Sequence, residues 1–288
     1  MKKLLQLYRA GGKLGMKIFF IYLQKMIRQA PDEKAFALLS YYNLLIDCNL
    51  THEGTFDEGF IFRTDDNVLL HARVPPSSDF TVFRQIWKDE EYKGAVEAIR
   101  HRINTTHVNI IDAGANAGYA TVYLVKRLQP KFGTKVVCIE PGEANVRILK
   151  KNLHINHYDH IVVEQAGLFN KPCHLKVSSD FRDGKEWSLQ VEESATVTGL
   201  EAVEVSQIRI KNGWKQIDFL KIDIEGAERY LFADESYARG FLEKVRMISI
   251  EIHHEYGIEK RILQILKDNH FSYEQTGEIT LGVNNSFN

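Results

Sequence analysis

The stretch Asn109-Ile-Ile-Asp-Ala-Gly-Ala-Asn-Ala-Gly-Tyr119 constrains the fold of this chain more than any other. Val108, Ile110 and Ile111 make an apolar run that stops at Asp112, and Gly114, Ala115 and Gly118 follow before an apolar helical pattern sets in. That order spells a buried strand, a tight turn and a helix start. Glycine in the turn permits backbone angles that a Cβ forbids and lets the backbone come close to a ligand, while the new helix offers unpaired N–H groups. The corner from Asp112 to Tyr119 therefore suits a nucleotide-like ligand, with Gly114, Asn116 and Gly118 at its centre.

The spacing bears on which nucleotide. A dinucleotide fingerprint runs Gly-x-Gly-x-x-Gly, its second glycine clearing room for pyrophosphate. Here Asn116 stands where that clearance is needed, and Asp112 at the strand end would repel a pyrophosphate but attract the ammonium and sulfonium of S-adenosylmethionine. The next apolar strand, Lys135-Val-Val-Cys-Ile139, ends at Glu140, 22 residues after Gly118, where a carboxylate accepts from both ribose hydroxyls. Asp112 and Glu140 together favour an S-adenosylmethionine site. An ordinary α/β turn with a surface acid would also produce the stretch from Asp112 to Gly118.

At 288 residues, 44% hydrophobic and 26% charged, the chain has room for one large α/β domain and an extension. A formal net charge of −1 leaves no electrostatic footprint for nucleic acid. Cys48, Cys138 and Cys173 are far apart and form no metal or Cys-x-x-Cys pattern, which implies a reducing compartment and a cytoplasmic protein. Oligomeric state is not legible.

The first residues are unusual. Lys2, Lys3, Arg9, Lys13, Lys17, Lys25 and Arg28 precede the first acid, Asp32, and Ile18 to Leu23 form an apolar run too short to span a bilayer. A basic, partly apolar helix of this kind either packs on its own protein or lies peripherally on an anionic membrane. A helical pattern follows from Asp32 to Asn49, then a turn region from Thr51 to Gly59, then a β-hairpin of Phe60–Thr64 and Val68–Ala72. Residues 1–79 read as an accessory layer and 80–288 as the nucleotide domain. Phe80 leads into a helix running through Ile99, whose Phe83, Trp87 and Tyr92 either cover the cofactor or fill core.

After the central turn, helices from Thr121 to Leu128 and from Glu143 to Asn156 alternate with strands at 135–139 and 161–163, which implies a parallel sheet with right-handed crossovers. Glu164 to Phe169, with Ala166, would border the adenine ring. Lys171 to Val205 reads as a hairpin and a loose loop, and the stretch with Phe181, Arg182 and Trp187 either helps close an acceptor site or is a mobile surface loop. A fourth buried strand around Phe219-Leu-Lys-Ile ends at Asp223, and a fifth, Met247-Ile-Ser-Ile, runs into Glu251, His253 and His254. Ligands of open parallel sheets bind beyond the carboxyl ends of the strands, so Asp223 is expected in the same crevice as Asp112 and Glu140.

Several of these segments together, Asp112-Ala-Gly-Ala-Asn-Ala-Gly-Tyr119, Glu140-Pro141 with Asn152, Leu220-Lys-Ile-Asp-Ile-Glu-Gly-Ala-Glu228 and Ile250-Glu-Ile-His253, resemble the FkbM family of S-adenosylmethionine-dependent methyltransferases. The resemblance covers roughly residues 80–285. It implies a class I methyltransferase (Rossmann-like) fold, a seven-stranded mostly parallel sheet with helices on both faces and the last strand antiparallel. It also implies S-adenosylmethionine as cofactor and methyl transfer to a hydroxyl, on a sugar or a secondary metabolite. Pro141 joins the cofactor residues on this ground.

In such a reaction alignment of the acceptor oxygen supplies several kcal/mol and a general base adds about 10²–10⁴-fold. Asp223 and His253 are the candidate bases, His253 for its pKa near neutrality; a histidine bonded to a neighbouring acid is the other reading of that residue. Asp223, Glu225 and Glu251 carry the oxygen ligands Mg²⁺ prefers, but Glu225 and Glu228 also suit a helix start, and no metal is expected. The rival classes are a binding or scaffold protein of the same fold and an NAD-dependent oxidoreductase.

Overall fold

A computed structural model describes residues 12–26, 32–178, 190–197 and 199–287. The chain divides into two compact units, 1–89 with 154–157, and 90–153 with 158–288.

The first unit begins with α1 (Gly12–Met26) and α2 (Glu33–Asp47). Asp32 caps α2, its Oδ1 accepting from Ala35 N–H at 2.7 Å, as a short acceptor side chain does at an N-cap. Strands β1 (Thr51–Phe56), β2 (Gly59–Arg63) and β3 (Leu69–Arg73) form an antiparallel sheet in that order. The expected hairpin is β2 and β3, but the segment from Thr51, expected as a turn region, is an edge strand. Its residues alternate exposed and half-buried, so only one face meets apolar neighbours. The unit closes with α3 (Asp79–Phe83) and a π-helical turn, Arg84–Lys88. Tyr41 stacks on Phe60 at 3.8 Å, Phe83 meets Phe62 edge-on at 4.9 Å, and Trp87 stacks on Phe83 at 5.9 Å. Phe83 and Tyr92 thus fill core, the second of the two readings offered above, while Trp87 is half-buried against Phe83. The helix expected through Ile99 breaks at Asp89–Tyr92, with Glu90 left-handed at φ 53°.

In the second unit α4 (Lys93–Arg102) precedes β4 (His107–Ala113), α5 (Tyr119–Leu128), β5 (Gly133–Ile139), α6 (Glu143–Ile155) and β6 (Val162–Glu164). Strands β7 (Ala166–Leu168), β8 (His174–Ser178), β9 (Gln190–Glu193) and β10 (Leu200–Val203) follow, then α7 (Val205–Lys211) and β11 (Phe219–Ile222). The chain ends through α8 (Glu228–Leu231), α9 (Glu235–Leu242), β12 (Met247–Glu251), α10 (Glu259–Asp268), β13 (Phe271–Thr276) and β14 (Ile279–Asn284).

The main sheet has seven strands in the order β13-β14-β12-β11-β4-β5-β6. Its strands from β6 to β12 pair in parallel, whereas β14 runs antiparallel to both β12 and β13. This is the class I methyltransferase arrangement. Central strands β4, β5, β11 and β12 are continuous apolar runs because helices cover both faces. The segment expected as a hairpin and loose loop holds the antiparallel pair β8 and β9 and, with β7 before it, builds a second sheet, β7-β10-β8-β9, in which β10 pairs in parallel with β7. Phe181, Arg182 and Trp187 lie outside the described residues.

Candidate functional site

Register sets the site. Ala113 of β4 is paired with Ile139 of β5 and with Ile222 of β11, and Ile222 with Ile250 of β12. The residues just past those ends, Gly114, Glu140, Asp223 and Glu251, therefore emerge at one edge of the sheet. Three of them, Gly114, Glu140 and Asp223, line one open crevice.

The central turn is held by its neighbours. Gly114 and Ala115 both donate N–H to Ile139 O, at 3.0 and 3.1 Å. Gly114 has φ 77°, and a Cβ on it would stand 1.6 Å from Asp223 O. Its missing side chain admits the loop after β11, a backbone-to-backbone approach. Gly118, at φ 85°, is the left-handed residue before α5, and a Cβ there would meet Leu149 Cδ1 of α6 at 2.4 Å. Asn116 between them is also left-handed at φ 48°, a conformation asparagine tolerates. Asn152 on α6 donates Nδ2–H to Ala117 O at 2.9 Å and ties the turn to that helix.

Glu140 is buried and organises the crevice floor. Its Oε1 accepts from Gly142 N–H at 2.9 Å and Asn145 Nδ2–H at 3.0 Å, and its Oε2 from Asn116 N–H at 2.8 Å. Burial pushes this carboxyl up from its ordinary range, and the donors from Asn145, Gly142 and Asn116 work against that. A carboxylate offers about four acceptor positions. Three are taken, so one remains on Oε2. Asn116 Oδ1, in the same crevice wall, is buried with no hydrogen-bond partner among the described residues.

Asp112 does not line the crevice. Fully buried, it accepts from Thr121 Oγ1–H at 2.5 Å and lies 3.1 Å from Lys221 Nζ. Lys221, also buried, was hidden in the sequence inside an apolar strand pattern. Its ammonium donates to Gly114 O at 2.9 Å and is ion-paired with Asp112 Oδ1 at 3.1 Å and with Asp223 Oδ2 at 3.3 Å. Burial alone would lower its pKa, but Asp112, Tyr92 and Asp223 outweigh burial and hold it well above the ordinary lysine value. Asp223 is 29% exposed at the side chain; Lys221 takes its Oδ2, and Oδ1 has no hydrogen-bond partner among the described residues.

His253 is 2% exposed, with Nδ1 2.8 Å from Glu228 Oε1 and Nε2 3.3 Å from Glu225 Oε2. Its backbone N–H also donates to Glu228 Oε1, at 2.9 Å. Burial works to lower its pKa, but Glu225 and Glu228 prevail and push it up to about 11. Near neutrality it is an imidazolium with no lone pair to offer, the acid-bonded reading of the two. Glu228, expected to serve a helix dipole, is fully buried as the partner of this cation. Glu251 is pushed up to about 9, by burial first and then by Asp223, so its carboxyl keeps its proton near neutrality.

Of the residues named from sequence, Gly114, Asn116, Glu140, Pro141 and Asp223 line the crevice, while Asp112, Gly118 and Tyr119 support the turn from behind. Ala166 belongs to the apolar core, and the wall beside it is Gly167 and Leu168. Asn145 and Val191 of β9 line the crevice without having been singled out, and so does Glu225, which was weighed only as a metal ligand or helix-start acid. Asn145 carries the spacing Glu140-x-x-x-x-Asn145 as its only signal; Val191 carries none. Among the described residues no three His, Cys, Asp or Glu side chains are grouped to hold a metal ion.

S-adenosylmethionine fits this donor and acceptor set. Its ribose hydroxyls, ammonium and adenine amino group are donors, and the crevice presents Asn116 Oδ1, the last position on Glu140 Oε2 and Asp223 Oδ1 as acceptors. A pyrophosphate would bring only acceptors and negative charge to the same atoms.

A family model described as Methyltransferase FkbM domain matches residues 112–273, more than half of the chain. Methyltransferase sdnD from Sordaria araneosa is 26% identical over 195 residues, spanning 56% of this chain and 73% of that protein. The N-terminal domain of human METTL16 shares 15% identity at a TM-score of 0.42, with 88% of this chain and 82% of that one covered. An rRNA methylase from Streptococcus thermophilus shares 9% at 0.40, covering 66% and 95%. The chain belongs to the FkbM family of S-adenosylmethionine-dependent methyltransferases.

Proposed function

We propose that the chain transfers a methyl group from S-adenosylmethionine to a hydroxyl of a small molecule or carbohydrate, a sugar or a secondary metabolite. One observation carries the cofactor half of this reading: the crevice walls leave acceptor atoms open on Asn116, Glu140 and Asp223, and the cofactor is rich in donors. Glu140 would take one ribose hydroxyl on Oε2, its other positions being occupied by the turn. Leu168, Val191 and Ile139 supply apolar wall for the adenine.

When bound, the cofactor supplies an already activated methyl group. The chain's own residues have to align the acceptor and receive its proton. Asp223 Oδ1 is the group assigned to that task, because it borders the crevice while Lys221 fixes Oδ2 and the orientation of the carboxylate. His253 acts instead as a positioning residue: its cation clamps Glu225 and Glu228, and with them the loop from Asp223 to Glu228.

The test is transfer of labelled methyl from S-adenosylmethionine to a panel of hydroxylated sugars and metabolites, with oxygen-linked methyl identified in the product. Asp223→Asn is expected to lower kcat by about 10²–10⁴-fold while the variant still binds S-adenosylhomocysteine. Methyl on nitrogen or carbon, or unchanged turnover in Asp223→Asn, would overturn the assignment.

A further inference from the structure

Helix α1 has two apolar faces. Gly15 and Ile18 are buried, Ile18 completely, so one face is packed within the first unit. Met16, Phe19 and Phe20, spaced three and four residues apart and therefore on one side of a helix, are 60%, 38% and 61% exposed. Lys13 and Lys17 are exposed too, and at positions i, i+3, i+4 and i+7 the set Lys13, Met16, Lys17 and Phe20 forms a continuous row. Large apolar side chains side by side in water need a reason, and lysines beside aromatics are what an interfacial helix presents.

We propose that α1 docks the protein on an anionic lipid surface, with Met16, Phe19 and Phe20 entering the acyl boundary and Lys13 and Lys17 reaching the headgroups. Charge complementarity selects this occupant. Residues 1–31 hold seven basic side chains and no acid, while the rest of the chain holds 30 basic and 38 acidic residues. That asymmetry makes the basic segment that contains α1 the part of the chain that an anionic surface attracts. A second copy meeting this face would set basic residues against basic residues. Crossing the bilayer is a different matter: α1 has 15 residues, and no described helix is long and apolar enough to span. The docking rests on the first unit alone and is independent of the chemistry proposed for the crevice.

Co-sedimentation of the full chain with phosphatidylcholine vesicles, with and without about 30% phosphatidylserine, tests this. Partition is expected to be about tenfold or more higher on the anionic vesicles, and to fall severalfold when about 0.5 M NaCl shortens the Debye length. The doubles Phe19→Ser/Phe20→Ser and Lys13→Glu/Lys17→Glu should each weaken it about tenfold or more with an unchanged melting midpoint, since these side chains are exposed. Folded wild type that stays in the supernatant with anionic vesicles overturns the proposal, as does wild-type partition in the Phe19→Ser/Phe20→Ser double. A wild-type dimer that this double converts to monomer, without vesicle binding, would give the face to a second copy.

Discussion

A lysine in the middle of a buried strand has to be neutralised, and Lys221 is neutralised by the residues that end two neighbouring strands. Removing it strands Asp112 as a buried charge with Thr121 as its remaining close partner. Lys221→Met is therefore expected to destabilise the protein by about 3–5 kcal/mol, with part of that recovered in the double Lys221→Met/Asp112→Asn. Urea unfolding reads both; wild-type stability in the single variant would contradict the arrangement. His253 titrates at about 11 in the fold against 6.5 as a free side chain, so its contribution is complete below pH 6.5 and is lost as pH rises through 11. Glu251, raised from 4.5 to about 9, acts in the same direction over its own window. Melting midpoints should accordingly fall from neutral pH toward pH 11, and His253→Gln should flatten the upper part of that decline. An unaltered slope would show that the imidazolium is not what the two glutamates hold. The sequence displays both residue types but not their partners. Glu228 looked like a helix-start acid, and only the left-handed pair Glu225 and Gly226, at φ 52° and 88°, turns it inward to His253.

At the scale of elements, the turn after β4 depends on the loop after β11. Gly114→Ala places a methyl within covalent distance of Asp223 O at a φ of 77°, and the backbone strain alone costs about 1–3 kcal/mol. That variant should be markedly destabilised and lose S-adenosylhomocysteine binding together, measured by thermal unfolding with and without ligand; a wild-type melting curve would contradict the close approach. The four central strands β4, β5, β11 and β12 were legible because a strand covered on both faces is one apolar run, and each here ends at an acid or glycine. Strand β1 was not, since an edge strand of Thr, His, Glu and Gly has no such run. Neither was the second sheet, whose pairing of β10 with β7 joins segments more than thirty residues apart. The break before α4 carries no Gly or Pro signal: the left-handed residue is Glu90.

For the whole molecule, two carboxylates at adjacent strand ends separated an adenosyl cofactor from a dinucleotide before any geometry was known. Their division of labour was not visible: Glu140 faces the crevice, whereas Asp112 is spent on Lys221. The crevice at the strand ends is expected to take S-adenosylmethionine through open acceptors, Glu140 among them. Calorimetric titration of the protein with S-adenosylmethionine, S-adenosylhomocysteine and NAD, repeated on Glu140→Ala, tests it most directly. Both adenosyl ligands should bind and NAD should not. Glu140→Ala should bind about 10–100-fold more weakly, the worth of about 1.5–3 kcal/mol for a hydrogen bond to a charged group. Folded wild type that binds neither adenosyl ligand, or binds NAD as tightly, would contradict the account.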